Sequence, residues 1–166
     1  MMKLAIVHLS DIHFKSRSDV GFRRREKLAN TIRFSRSPDE KLLLIVTGDI
    51  ANKGLPFEYE VAGDFFRPLL IELGMKGDCA TFVPGNHDCN FENIGDLRPR
   101  VLSDIAAQLG SLDRSGEIVS TLLQVHTHFF KFQEDVSGKP IEPIDRLYSA
   151  RNFEFGGKVL ELRCFN

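Results

Sequence analysis

Three short apolar runs, each followed at once by a polar loop, place the strongest constraint on how this chain can fold. The runs span residues 4–9, 41–46 and 79–83, and each has the length of a buried strand. Segments long enough for a covering helix separate them, so the pattern predicts right-handed crossovers and a parallel sheet. In such a sheet the three polar loops meet at one edge, where α/β proteins hold their functional groups.

The side chains of these loops have the chemistry of a metal site. They are carboxylates, a carboxamide and imidazoles: Asp11, His13, Asp49, Asn86, His87 and Asp88. Such oxygen and nitrogen ligands suit Mn²⁺, Fe, Zn²⁺ or Mg²⁺ better than a soft copper site. Alternation along a strand puts Asp11 and His13 on one side, within reach of one ion. Asp49 can bridge that ion to a second one, to which Asn86 offers its carbonyl oxygen, so these four residues are the predicted metal ligands.

The same loops, in this order and each after a strand, resemble the signature of the calcineurin-like metallophosphoesterases. The matching motifs are Asp11-x-His13, Gly48-Asp49 and Gly85-Asn86-His87-Asp88. Within that superfamily, residues 9–14 and 47–54, followed by Glu58-Tyr59, most resemble the class III cyclic-nucleotide phosphodiesterase branch. The family pattern also contains a later isolated histidine and a Gly-His-x-His, and neither occurs in these 166 residues.

The resemblance implies a metal-dependent phosphodiesterase that acts on a cyclic nucleotide or a similar small phosphodiester. Two metal ions would clamp the phosphoryl group and activate the attacking water, although the second site is expected to be incomplete in this chain. His87, which is not a ligand in the family pattern, would protonate the leaving alkoxide or stabilise the developing charge, with Asp88 orienting its ring. Two alternatives stay open: a nuclease of the same superfamily, and a truncated half-domain without catalytic activity.

Hydrophobic periodicity predicts how the sheet is covered. Amphipathic patterns predict helices over residues 15–38 and 58–73, and Pro68 is expected to kink or divide the second of them. Two further helical stripes, at residues 97–109 and 118–130, break the alternation of strands and helices. In the resembling family this position often carries a helical excursion that shapes the substrate pocket.

The end of the chain predicts a β-hairpin, because alternating apolar runs flank Gly156-Gly157. The expected fold class is therefore α/β: the parallel-sheet half of a metallophosphoesterase α/β sandwich, with a helical excursion and a terminal β-hairpin. We expect residues 1–166 to form the N-terminal portion of one domain. Its parts would be a metal-binding sheet core at 1–90, a helical segment at 91–150, and a hairpin at 151–166 that begins a second sheet.

Composition narrows the partners and the compartment. A hydrophobic content of 42% supports a single core, and a net charge of −1 offers no broad basic field for nucleic acid or an anionic membrane. Three cysteines without a CxxC pair, and no secretory leader, predict a reducing, cytoplasmic compartment. The expected partners are a phosphodiester substrate and either a second copy of the chain or a missing C-terminal half.

Three other polar segments have ordinary interpretations. His8 precedes Asp11 on the first strand, and a core histidine is favoured over a role beside the metal. Arg23-Arg24-Arg25 could hold a substrate phosphate, but a solvated helix face is favoured. His126 and His128 form a His-x-His, yet on a helix they point about 200° apart, so a structural or surface role is favoured.

Overall fold

A three-stranded parallel sheet in the order β1-β2-β3 forms the centre of the fold. The computed structural model describes residues 3–92, 102–103 and 116–165. The strands are β1 (Lys3–Leu9), β2 (Glu40–Thr47) and β3 (Ala80–Val83). The register sets Val7 opposite Leu44 and Leu44 opposite Ala80. As predicted, the carboxyl ends of all three strands lie at one edge.

Helices connect these strands. Between β1 and β2 the chain forms α1 (Val20–Arg23) and α2 (Arg25–Ser35), so the single helix predicted over residues 15–38 is in fact two shorter ones. Between β2 and β3 lies α3 (Pro56–Glu72), which confirms the second predicted helix. Pro68 lies inside α3 without dividing it, because the buried side chains around it hold the helix against the sheet.

The hydrophobic core lies between these helices and one face of the sheet. Phe66 of α3 contacts Phe82 of β3 at a ring-centroid distance of 5.1 Å, and Phe82 contacts Phe132 at 5.1 Å. Full burial of a side chain of this size contributes about 1.5–3 kcal/mol. Ala5, Val7 and Leu9 of β1 pack against the same core.

The helical segment after the sheet is broken into short pieces. It consists of α4 (Glu117–Leu122), a 3-10 turn (Leu123–His126) and α5 (Thr127–Ser137), so the continuous helix predicted over 118–130 is wrong. The stripe predicted over 97–109 lies largely outside the described residues. No helix of the part that the structure describes is long and apolar enough to cross a membrane.

The predicted terminal hairpin is confirmed. It pairs β4 (Tyr148–Phe155) with β5 (Lys158–Phe165) in an antiparallel register. Gly156 and Gly157 form the turn with φ values of 55° and 75°, which a primed two-residue turn requires. Arg151 anchors the hairpin to β3, since its guanidinium donates hydrogen bonds to the carbonyl oxygens of Ala80 (2.7 Å) and Asp78 (2.9 Å).

The other face of β1 is open to solvent at its centre and its carboxyl end. Ile6 is 52% exposed, and His8 lies on the same face and is also exposed. His8 is therefore not the core histidine that the sequence suggested, because alternation turns its side chain away from the helices. The architecture as a whole is α/β, with a parallel sheet and an antiparallel terminal hairpin.

Candidate metal centre

Two of the polar loops continue the pairing of their strands beyond the end of the sheet. The N–H of Asp11 donates to the Gly48 carbonyl oxygen at 3.3 Å, and the N–H of His13 donates to the Asp49 carbonyl oxygen at 2.8 Å. Asp11, His13 and Asp49 all have positive φ, at 54°, 53° and 53°. Each such residue costs on the order of 1 kcal/mol, and strain of this kind collects at functional sites.

His13, Asp49 and His87 bring their side chains together at this edge. Each offers one potential ligand atom, and these atoms all lie within 4.8 Å of one another. His13 Nε2 lies 3.9 Å from Asp49 Oδ2, and the two imidazole rings meet nearly edge to face with centroids 4.7 Å apart. His13 Nδ1 is buried and has no hydrogen-bond partner among the described residues. Nitrogen and oxygen donors in this arrangement can hold a divalent cation.

The ring of His87 is oriented by a backbone carbonyl. His87 Nδ1 lies 2.8 Å from the Asn52 carbonyl oxygen, which can only accept, so Nδ1 carries the hydrogen. In the neutral ring Nε2 then bears the free lone pair, and in the protonated ring Nε2 is a second donor. The backbone N–H of His87 also donates to Asp49 Oδ1 at 3.0 Å, which ties the third loop to the second.

Asp88 does not orient His87, contrary to the interpretation of the sequence. Its side chain is fully buried, and its carboxylate accepts four hydrogen bonds at 2.8–3.1 Å, from the N–H groups of Ile50, Ala51 and Gly85 and from the Tyr59 hydroxyl. Burial raises the pKa of the Asp88 carboxyl, although the N–H donors act in the opposite direction. Asp88 thus joins the second and third loops to α3.

Gly85 allows the third loop to approach Asp49. A Cβ atom at this position would overlap the Asp49 carboxylate and would lie 2.6 Å from the Asp49 nitrogen. Any side chain here would therefore displace Asp49 or separate the loops.

Two of the four predicted ligands, His13 and Asp49, belong to the close group formed with His87, whereas the Asp11 carboxylate does not. Asp11 and Asn86 are both exposed, Asp11 in the first loop and Asn86 at the start of a 3-10 turn (Asn86–Asp88). The sequence suggested a proton-transfer role for His87, and the structure adds that His87 lies close enough to the other two to share a cation.

A concavity of about 490 Å³ adjoins this group, and His87 and the neighbouring Asn86 both line it. Lys53 and Glu92 both lie in its lining. The backbone beneath it is fixed, because the buried Glu58 carboxylate accepts from the N–H groups of Lys53 (2.8 Å) and Leu55 (3.1 Å). The concavity therefore has one preformed wall.

The helical segment meets the third loop through Cys89 and His126. His126 Nε2 lies 3.1 Å from Cys89 Sγ, and His126 is buried against Phe130, which agrees with the structural role predicted for it. His128 lies elsewhere, in a groove between α3 and α5.

Most of the chain matches a known class of phosphoesterases. The profile of the calcineurin-like phosphoesterases matches residues 4–160, and the chain belongs to that family. An uncharacterized metallophosphoesterase-like protein of Bacillus subtilis, YydB, is 27% identical over 161 residues, which are 92% of this chain and 32% of that protein. The glycerophosphodiester phosphodiesterase GpdQ of Enterobacter lignolyticus is 31% identical over 111 residues, 61% of this chain and 36% of that protein. The chain thus spans about a third of the length of these curated relatives.

Proposed function

We propose that this chain carries the metal-binding half of a phosphodiesterase active site that hydrolyses a small phosphodiester. The observation that carries the proposal is the meeting of His13, Asp49 and His87 at the carboxyl edge of a parallel sheet, with potential ligand atoms within 4.8 Å. Membership of the calcineurin-like phosphoesterase family supports it.

The residues of the loops fit a divalent metal. His13 Nδ1 is buried without a hydrogen-bond partner in the described part of the chain, and the backbone at Asp49 is strained; a ligand would account for both features. We assign Asp11, His13 and Asp49 to one ion and Asp49 and Asn86 to a second, less complete position. Bound metal ions would stabilise charge on the phosphoryl oxygens and lower the pKa of a water molecule. Mn²⁺, Fe, Zn²⁺ and Mg²⁺ all suit this donor set.

His87 is the proposed proton donor to the leaving oxygen. The Asn52 carbonyl fixes Nδ1–H, so Nε2 is the nitrogen that is available to exchange a proton with substrate. The hydrogen bond from the backbone N–H of His87 to Asp49 Oδ1 holds the imidazole beside the metal ligands. Asp88 acts on the site by holding the loops, and it need not touch the substrate.

The concavity beside His87 is the proposed position of the alcohol that leaves. Its volume of about 490 Å³ suits a small ester, and the ammonium of Lys53 would attract the phosphate. A cyclic nucleotide or a similar small diester is the proposed substrate class, and the similarity to GpdQ, a glycerophosphodiester phosphodiesterase, supports small diesters in general. The activity is proposed for the protein that contains this segment, with the remaining ligands supplied by a C-terminal continuation or by a second copy of the chain.

Replacement of Asp49 by asparagine tests the proposal. Mn²⁺ binding is measured by titration calorimetry, and Mn²⁺-dependent hydrolysis of bis(p-nitrophenyl) phosphate is measured in the protein that contains the segment. A neutral amide cannot hold two cations together, so hydrolysis should fall by more than about tenfold. Asp64→Asn is the matched control, because Asp64 lies on α3 and pairs only with surface arginines among the described residues. Retention of more than about a tenth of the rate in Asp49→Asn would refute the assignment.

A further inference from the structure

The three polar loops that carry Asp11, Asp49 and Asn86 are called the metal loops. A hydrogen bond between two exposed side chains joins β1 to β2 directly before the first two of them. His8 Nε2 lies 2.6 Å from Thr47 Oγ1. His8 lies opposite Ile45 in the parallel register, so the bond runs diagonally to the last residue of β2. It lies on the face of the sheet that the helices do not cover.

This bond lies at the base of the two loops that carry Asp11 and Asp49. Asp49 lies two residues after Thr47, and Asp11 lies three residues after His8. Beyond the bond, the two loops are joined by the backbone contacts of Asp11 with Gly48 and of His13 with Asp49. The side-chain bond therefore adds a fixed point at the base of the strained region.

We infer that His8 and Thr47 form a positioning pair that sets the separation of the Asp11–His13 loop from the Asp49 loop. The pair touches neither substrate nor metal, and it acts through the backbone of the ligand-bearing residues. The inference rests on the proposed function, because it gives the pair a role in metal binding. It also gives a reason for the imidazole of His8 at an exposed position of β1, where the ring bonds to Thr47.

A double-mutant cycle on Mn²⁺ affinity tests whether His8 and Thr47 act together on the metal ligands. Thr47→Val keeps the shape of the side chain and removes the hydroxyl, and His8→Ala removes the ring. Each should weaken Mn²⁺ binding, measured by titration calorimetry, by about tenfold, which is the lower end of the effect of residues that support metal ligands. The double variant should lose no more than either single variant. Thr47→Ser keeps the hydroxyl and should bind Mn²⁺ like the wild type.

Two controls separate positioning from general destabilisation. Thr31→Val removes a hydroxyl that donates to the Lys27 carbonyl oxygen at 2.9 Å on the exposed side of α2, so it should leave Mn²⁺ affinity unchanged. His128→Ala removes an imidazole that lines the groove between α3 and α5 and should do the same. Thermal unfolding followed by circular dichroism checks that each variant is folded at the temperature of the titration.

Amide hydrogen exchange of the metal-free chain gives a readout that needs no metal. The amide of Asp11 should exchange about fivefold faster in Thr47→Val, the change expected when one hydrogen bond that limits opening is lost. If the wild type bound no Mn²⁺, the proposed function would fail, whereas these exchange rates would still decide whether the pair positions the loops. Additive losses in the cycle, or a Thr47→Val variant with wild-type affinity and exchange, would overturn the inference.

Discussion

Replacement of Asp88 by asparagine tests how the metal loops are held together. One oxygen of the carboxylate accepts from the Ala51 N–H and the Tyr59 hydroxyl, and the other accepts from the N–H groups of Ile50 and Gly85. Asparagine has only one carbonyl oxygen, so its NH₂ group would face two donors that cannot pair with it. Each buried donor left without a partner costs about 1–3 kcal/mol. The substitution should therefore lower the free energy of unfolding by about 2–6 kcal/mol, a large share of the about 5–15 kcal/mol typical of a domain.

Urea denaturation of the metal-free chain, followed by circular dichroism, measures this loss. Tyr59→Phe removes one of the four donors and should cost about 1 kcal/mol. The burial of Tyr59 and the neighbouring Asp88 carboxylate raise the pKa of its hydroxyl, so it remains a donor at neutral pH. Asp64→Asn replaces a partly exposed carboxylate and should cost less than about 1 kcal/mol. If Asp88→Asn and Asp64→Asn lowered the free energy of unfolding equally, the reasoning would be refuted.

Three further substitutions test other parts of the site and fold. Gly85→Ala would place a Cβ atom on the Asp49 carboxylate and should weaken Mn²⁺ binding about tenfold or more in calorimetry, whereas Gly21→Ala, with no atom within 4 Å, should bind normally. His87→Ala should preserve metal stoichiometry and slow esters with poor leaving groups by about 10²–10⁴-fold in kinetic assays; loss of metal would instead identify His87 as a ligand. Arg151→Met removes the anchor of the hairpin and should accelerate its cleavage in limited proteolysis; an unchanged rate would contradict that role.

The sheet, α3 and the terminal hairpin could be predicted because each leaves a local signal. Leu42–Val46 is an uninterrupted apolar run, as expected for a strand that is buried on both faces, and Gly156-Gly157 is a strong turn signal. The break in the helix predicted over 118–130 left no such signal. It falls where the Val125 carbonyl oxygen accepts from the N–H of Asn90, a contact between distant segments.

The candidate site could be located from the sequence, but its supporting contacts could not. His13 and Asp49 follow strands of recognisable pattern, and their meeting follows from the parallel sheet. The bonds that Asp88 receives come from residues such as Ala51, 37 positions away, and no local pattern reports them. The exposed position of His8 depended on which face of β1 the helices cover, and alternation alone does not specify the face.

The different roles of His87 and Asp88 follow from the geometry of the turn that carries them. In a 3-10 turn successive side chains point about 120° apart, so two adjacent residues of Asn86–Asp88 cannot both face the Asp49 carboxylate. The exposed His87 takes the side toward Asp49, and Asp88 is left in the interior, where only a fully paired carboxylate is tolerated. The backbone of Asn52 then replaces the carboxylate as the acceptor for the ring. An adjacent histidine and aspartate in a sequence therefore do not by themselves indicate a catalytic pair, because the geometry of the turn that carries them decides which of the two faces the site.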